Sequence, residues 1–259
     1  MNLRGKTVWL TGASSGIGEA LTYELARRGC RVAISSRNEL KLSTIAQAVT
    51  KATGAEVHTF PADVTDLEAI KNCVERIEQK TGAIDILIAN AGTHIFSKPE
   101  QFDSKEYMHL MATNYGGMLN TIEAVTAKMI SRQTGTIVGM ASLAGYRGLP
   151  RAAAYGASKA AMIHFLESIR FHLRRKGIRV VICNPGFVKT PLTDKNDFKM
   201  PFLISAEEAA LSICNGLERD KEKITFPRPF ALIMELNRIL PYPLYDFYIE
   251  RIWRRMEPR

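Results

Sequence analysis

The sequence predicts an α/β protein: a doubly wound parallel sheet of seven strands with helices on both faces, plus a helical C-terminal extension. Three observations carry that expectation. Seven short runs rich in β-branched residues alternate with longer helical patterns. A glycine-rich turn joins the first run to the first helical pattern. Residues 227–259 drop the alternation and read as two helices.

The strands follow in order. Thr7–Thr11 is β-branched and aromatic, and a helix begins near Gly16 beyond its glycine turn. Arg31–Ser35, Glu56–Phe60, Ile84–Ile88, Gly135–Gly139, Arg179–Cys183 and Lys223–Phe226 continue the series. Helical patterns fill the gaps, clearest at Leu40–Ala52, Leu67–Lys80 and Ala153–Arg174. Gaps of that length suit crossover helices, which make neighbouring strands parallel. No linker, repeat or low-complexity segment interrupts the pattern, so residues 1–226 read as one domain and 227–259 as its helical extension.

Composition narrows the function classes. Apolar and charged shares of 46% and 24% belong to a soluble globular chain rather than a disordered one. The net charge of +9 is spread along the whole sequence, with no basic tail and no basic run interleaved with aromatics, so no nucleic-acid partner is expected. Cys30, Cys73, Cys183 and Cys214 are scattered without C-x-x-C or metal-ligand spacing, which predicts reduced thiols, a cytoplasmic setting and no metal. No signal peptide is read at the N-terminus, and no apolar stretch reaches the roughly 18 residues of a spanning helix.

Two motifs carry chemistry. Thr11-Gly-Ala-Ser-Ser-Gly-Ile-Gly18 lies between a strand and a helix, where Gly12, Gly16 and Gly18 let the backbone turn sharply. The N–H groups around Ser14, Ser15 and Ile17 then face an anion, as in a dinucleotide phosphate cradle. After the second strand, where an acid would bond a ribose diol, stand Ser36 and Arg37. A guanidinium there suits a 2′-phosphate, so NADP(H) is favoured over NAD(H), although Arg37 can also be a solvated helix-start residue. Asp63 and Val64, after the third strand, face an adenine edge, while Asp63 can equally cap the next helix. The second motif is Tyr155-Gly-Ala-Ser-Lys159, which sets a phenol and an ammonium on one helix face. A cation beside a phenol favours its ionised form and makes proton exchange with a hydroxyl feasible.

Together these residues resemble the short-chain dehydrogenase/reductase family, across roughly residues 5–226. Its T-G-x-x-x-G-x-G motif is matched by Thr11–Gly18, and its N-N-A-G motif by Ala89-Asn90-Ala91-Gly92, with Ala89 in place of the first Asn. Asp85 matches the structural Asp, and Pro185-Gly186 the turn after the sixth strand. The resemblance implies a Rossmann-type fold and interconversion of a carbonyl and an alcohol by hydride transfer. It implies Tyr155 as acid and base, Ser142 as the group bonding the substrate oxygen, and Lys159 as the residue that lowers the phenol pKa and binds the nicotinamide ribose. Asn114 would anchor a water linking Lys159 to solvent. Asn90, Ala91, Gly92, Pro185, Gly186 and Val188 join the cofactor site, with Thr190 at the nicotinamide carboxamide. Read without the resemblance, Ser142 only ends a strand and Asn114 only serves a helix backbone. A non-catalytic NADPH-binding sensor or scaffold is the alternative class.

For the substrate, a small carbonyl or alcohol compound, His94, Tyr146 and Phe187 stand near the implied site and predict an aromatic, lipophilic pocket. Family members commonly pair through the helices that here carry Asn114 and Tyr155, so a homodimer or homotetramer is expected. In the extension, Pro241-Tyr-Pro243 separates two helical patterns. On the second, Leu244, Tyr245, Tyr248, Ile249, Ile252, Trp253 and Met256 share a side, opposite Asp246, Glu250, Arg251 and Arg254, with Phe247 misplaced among them. That face can lie in a membrane interface on the cytoplasmic side, pack on a partner subunit, or close the pocket.

Overall fold

A computed structural model describes residues 1–95, 99–194 and 196–256, the last helix without the side chains of Trp253, Arg255 and Met256. In chain order the elements are β1 (Thr7–Thr11), α1 (Gly16–Arg27), β2 (Arg31–Ser35), α2 (Glu39–Thr53), β3 (Val57–Thr59), α3 (Leu67–Thr81), β4 (Ile86–Ala89), α4 (Ser104–Met111), α5 (Gly117–Arg132), β5 (Gly135–Met140), α6 (Ala153–Arg174), β6 (Ile178–Pro185), α7 (Ala206–Glu218), β7 (Lys223–Phe226), α8 (Arg228–Ile239) and α9 (Tyr242–Met256). The seven strands form one sheet in the order β3-β2-β1-β4-β5-β6-β7, every pair parallel.

Strand alternation divides the core. Val8 and Leu10 of β1 face a cluster with α1, α2 and α7. Trp9 faces the opposite cluster, with α3, α5 and α6. Its indole Nε1 donates to Ser35 Oγ at 2.9 Å, so the largest buried ring carries no unpaired donor. The strand order reverses between β1 and β4, which opens a crevice at their C-terminal ends, where ligands of such sheets bind.

Several boundaries differ from the expected ones. The edge strand β3 pairs only with β2 and shrinks to three residues, whereas β6, held on both sides, extends through Pro185. Residues 104–132 run as α4, one π-helical turn (Ala112–Gly116) and α5. Pro241 separates α8 from α9, but Pro243 sits in the first turn of α9, where a missing N–H costs no intrahelical bond. Ala231 and Met234 of α8 join the second core cluster.

Candidate active site

The crevice begins at the turn after β1. Gly12 and Gly16 have φ of 67° and 57°, which favours glycine. A Cβ on Gly18 would stand 2.2 Å from Gly12 O, and one on Gly12 2.6 Å from Ala91 Cα, so side chains are shut out of the cradle. Asn90 stitches this turn to the end of β4: its Nδ2 donates to Thr11 O at 3.0 Å and Gly12 O at 3.1 Å. The neighbouring Ala89 is buried in the core, which explains why a small apolar residue fits where the family motif has its first Asn.

Ser15, the N-cap of α1, makes no side-chain bond to the helix, whereas α2, α3 and α7 are capped by Asn38, Asp66 and Ser205. The first-turn N–H groups of α1 therefore keep donors for an anion, and the site fits a dinucleotide phosphate. A cleft of about 470 Å³ brings together Gly12, Ser14, Ser15, Gly16, Ile17 and Gly18, then Ser36, Arg37, Asp63, Val64, Asn90, Ala91, Gly92 and Thr190. The Arg37 side chain is 75% exposed and stands 4.0 Å from Asp63 Oδ2. Asp63 does not cap α3, since Asp66 does. Its Oδ1 accepts from Thr65 N and Thr65 Oγ1. Partial burial pushes the Asp63 carboxyl up, but those two bonds and Arg37 outweigh it and hold the group below its ordinary value.

A smaller space of about 110 Å³ continues the cleft between Ile17, Asn90, Ser142, Tyr155, Lys159, Pro185, Gly186, Val188 and Thr190. Tyr155 and Lys159 come from the N-terminal part of α6. Burial pushes the Tyr155 phenol above its ordinary value, with the Ser142 hydroxyl pulling the other way. Lys159 is anchored on β5 and stands over that ring. Its Nζ donates to Met140 O at 2.7 Å and stands 5.6 Å from the Tyr155 ring centre. Burial lowers the ammonium to about 8. Ser142 caps the short turn 143–145, accepting from Ala144 N at 3.1 Å.

Asn114 is wholly buried in the π-helical turn, a kind of bulge frequent at functional sites. Its Oδ1 accepts from Thr93 N at 2.7 Å, and its Nδ2 donates to Thr93 O and Ser158 Oγ, each at 3.0 Å. Both amide protons are thus committed to protein, and the side chain clamps the segment after β4 to α6. The glycine pair Gly116-Gly117 inside a helical pattern is the sequence signal for this irregularity.

Beyond Ser142 and Tyr155 lies a third space of about 130 Å³, lined by His94, Phe187, Leu149, Arg151, Leu192 and Phe198 among others. The His94 ring meets the Tyr155 ring edge-on at 4.8 Å. Tyr146 is absent from this lining. It is buried instead against the extension, with Lys223 Nζ 4.8 Å and the Arg238 guanidinium 5.6 Å from its ring centre. Leu143 and Ala144 still line the space, but the Tyr146 ring packs near Lys223 and Arg238, so nearness in sequence to Ser142 misplaces it. Leu149, Arg151, Leu192 and Phe198 escape a reading of the sequence because they lie in irregular segments with no periodic signal. Among the described residues, none of α8 or α9 lines the space.

The α9 face also divides. Tyr245 is buried and Ile249 and Ile252 are half-buried, while Leu244, Tyr248 and the supposedly misplaced Phe247 are exposed. Trp253 and Met256 have side chains outside the described ones.

Known proteins resemble the chain along most of its length. A family model described as short chain dehydrogenase matches residues 6–200. An uncharacterized oxidoreductase of Myxococcus xanthus is 36% identical over 247 residues, covering 95% of this chain and 97% of that protein. An 11-beta-hydroxysteroid dehydrogenase-like protein (4A) of Arabidopsis thaliana is 32% identical over 247 residues, 92% of this chain and 82% of its own. The solved short-chain dehydrogenase from Sphingobium yanoikuyae in complex with NADPH superposes with a TM-score of 0.78 at 26% identity, over 86% of this chain and 88% of that one.

Proposed function

The chain belongs to the short-chain dehydrogenase family, and we propose that it is an NADP(H)-dependent oxidoreductase that interconverts a carbonyl and an alcohol on a lipophilic substrate, with Tyr155 as its acid and base. The observation that carries this is the meeting of Ser142, Tyr155 and Lys159 at the joint between a phosphate-accepting cleft and a mainly apolar cavity. When bound, a reduced nicotinamide supplies the hydride. The Tyr155 phenol, raised above its ordinary value, is protonated at neutral pH and donates that proton to the substrate oxygen. Ser142 bonds the same oxygen and holds it in line. Lys159 takes up and releases a proton near its lowered value, which suits it to resupply the phenol. A water relay to Lys159 would use the backbone carbonyl or the remaining Oδ1 lone pair of Asn114, because both amide protons are taken. A non-catalytic cofactor-binding protein has no observation in its favour.

NADP(H) over NAD(H) is supported by the exposed Arg37, by the lack of an acid at Ser36, and by the NADPH in the Sphingobium relative. A lipophilic substrate is supported by Leu149, Phe187, Leu192 and Phe198 in the cavity and by the steroid named in the Arabidopsis relative's description. No helix of the described residues is long and apolar enough to cross a membrane. Peripheral contact from a cytoplasmic location is a second reading. It is favoured by exposed Leu232, Leu236 and Ile239 on α8 beside Tyr242, Leu244 and Phe247. Pairing into a dimer or tetramer through α5 and α6 is the proposed assembly, and light scattering showing only monomer at micromolar concentration would exclude it.

The test is a turnover screen with both cofactors against ketones and alcohols of increasing lipophilicity. Tyr155→Phe should keep the fold and NADPH binding and lose about 10²- to 10⁴-fold in turnover. Full activity in a folded Tyr155→Phe protein overturns the mechanism.

A further inference from the structure

We propose that α8 and α9 brace the substrate cavity from outside, and that Arg147 is the positioning residue through which the brace acts. This deepens the oxidoreductase reading and rests on it for its kinetic consequence. Three consecutive residues after the Ser142 turn all grip the extension. The ring of Tyr146 lies between the cations of Lys223 and Arg238, the latter from α8. The Arg147 Nη1 donates to Asn237 O at 2.7 Å and Leu240 O at 2.5 Å, carbonyls at the C-terminal end of α8. A cation there also meets the negative end of the helix dipole. The same guanidinium stacks on Tyr245 at 3.8 Å and Tyr242 at 4.8 Å from their ring centres, both in α9. Tyr245 closes the ring of contacts by donating its hydroxyl proton to Gly148 O.

The chain then passes directly from Gly148 into Leu149–Ala152, one wall of the cavity. The opposite wall is held by the extension too: Phe230 of α8 stacks on Phe187 with ring centres 5.4 Å apart. Since no described α8 or α9 side chain lines the cavity, the described part of the extension acts on it by fixing these two walls. Nothing in the clamp touches the phosphate-side cleft, whose lining comes from other segments. Losing the clamp should therefore loosen substrate placement and spare the cofactor.

The experiment compares full-length wild type, Arg147→Ala, Arg147→Lys and Tyr245→Phe. Hydrogen exchange of a peptide spanning residues 143–152 needs no substrate and tests the brace directly. Exchange should quicken in Arg147→Ala, recover in part in Arg147→Lys, which keeps one charged donor without the fork, and quicken mildly in Tyr245→Phe. NADPH affinity, read by its fluorescence, should hold, while the KM for a turned-over ketone rises on the order of tenfold in Arg147→Ala with a smaller change in kcat. Unchanged exchange at 148–152, or a loss of NADPH affinity as large as the KM change, overturns the brace. Absence of turnover in wild type with every ketone sinks the oxidoreductase reading alone, because the exchange and NADPH measurements still decide the brace.

Discussion

Replacing Lys159 with Met removes one buried ammonium and leaves an apolar stem of similar reach. In the folded protein, burial holds that ammonium at about 8, against an ordinary 10.5. Between those two pH values the unfolded chain carries a proton that the folded chain has shed. Stability rises with pH wherever the unfolded state binds more protons. Below pH 8 the wild type therefore bears the full cost of a buried charge. The cost fades as pH climbs from 8 towards 10.5 and is gone above that. At ~1.36 kcal/mol per pH unit, the interval amounts to roughly 3 kcal/mol. Met also leaves Met140 O without its donor, which adds an offset that does not vary with pH. Urea unfolding of both cofactor-free proteins at several pH values from 7 to 10 isolates the effect, because the other titrating groups cancel in the difference. The wild type should gain on Lys159→Met as pH rises, moving the gap between their midpoints by about 1 M for a slope near 3 kcal/mol/M. Parallel curves across that range would refute the argument that Lys159 is held as a strained, exchangeable proton carrier.

Two further outcomes follow from surface chemistry. Ser36→Asp combined with Arg37→Ser should weaken NADPH by about 10- to 100-fold, the loss of a charge-assisted bond, and shift preference to NADH. Fluorescence titration reads both constants, and a wild type that binds NADH as tightly as NADPH contradicts the role given to Arg37. On the extension, full-length protein should float with anionic vesicles, whereas Leu236→Glu with Phe247→Glu should not, since each places a carboxylate in the exposed apolar surface. Equal behaviour of the two proteins in flotation removes the membrane reading.

How far the sequence can be read depends on whether a feature is local. The glycine turn is legible because Gly12 and Gly16 need left-handed backbone, and Gly18 sits where a Cβ would strike Gly12 O. Strands β1, β2 and β7 fall where their β-branched runs put them, since each is a short run bounded by turn residues and buried along most of its length. Tyr155 and Lys159 share a helix face by spacing alone, yet the partner of Lys159 is Met140 O on β5, which no spacing in α6 reveals. Features that depend on tertiary neighbours are misjudged for the same reason. Tyr146 lies four residues beyond Ser142, but packing against Lys223 and Arg238 decides where its ring goes. The apolar side of α9 comes from a helical wheel, but contact with the body selects Tyr245 and leaves Leu244 and Tyr248 exposed. A wheel shows which residues share a side and not which side is covered.

Several departures from ordinary folding rules lie around the cleft. Lys159 is buried as a cation, and the N-terminus of α1 goes without a side-chain cap. Arg151, in the cavity wall, has φ of 60°, and Phe202, whose ring stacks on Phe230, has φ of 55°, both outside the range that non-glycine residues prefer. Asn184, immediately before the Pro185-Gly186 turn, is wholly buried, and its amide has no hydrogen-bond partner among the described residues. Each of these costs about 1–3 kcal/mol. Away from the cleft, α2, α3 and α7 are capped and Trp9 finds its acceptor, although Gln133 and Asp220 also take positive φ and α8 has no side-chain cap. On the proposed oxidoreductase reading, the uncapped start of α1 serves an anion, the lowered Lys159 ammonium serves a proton, and the wall at Arg151 serves an apolar substrate.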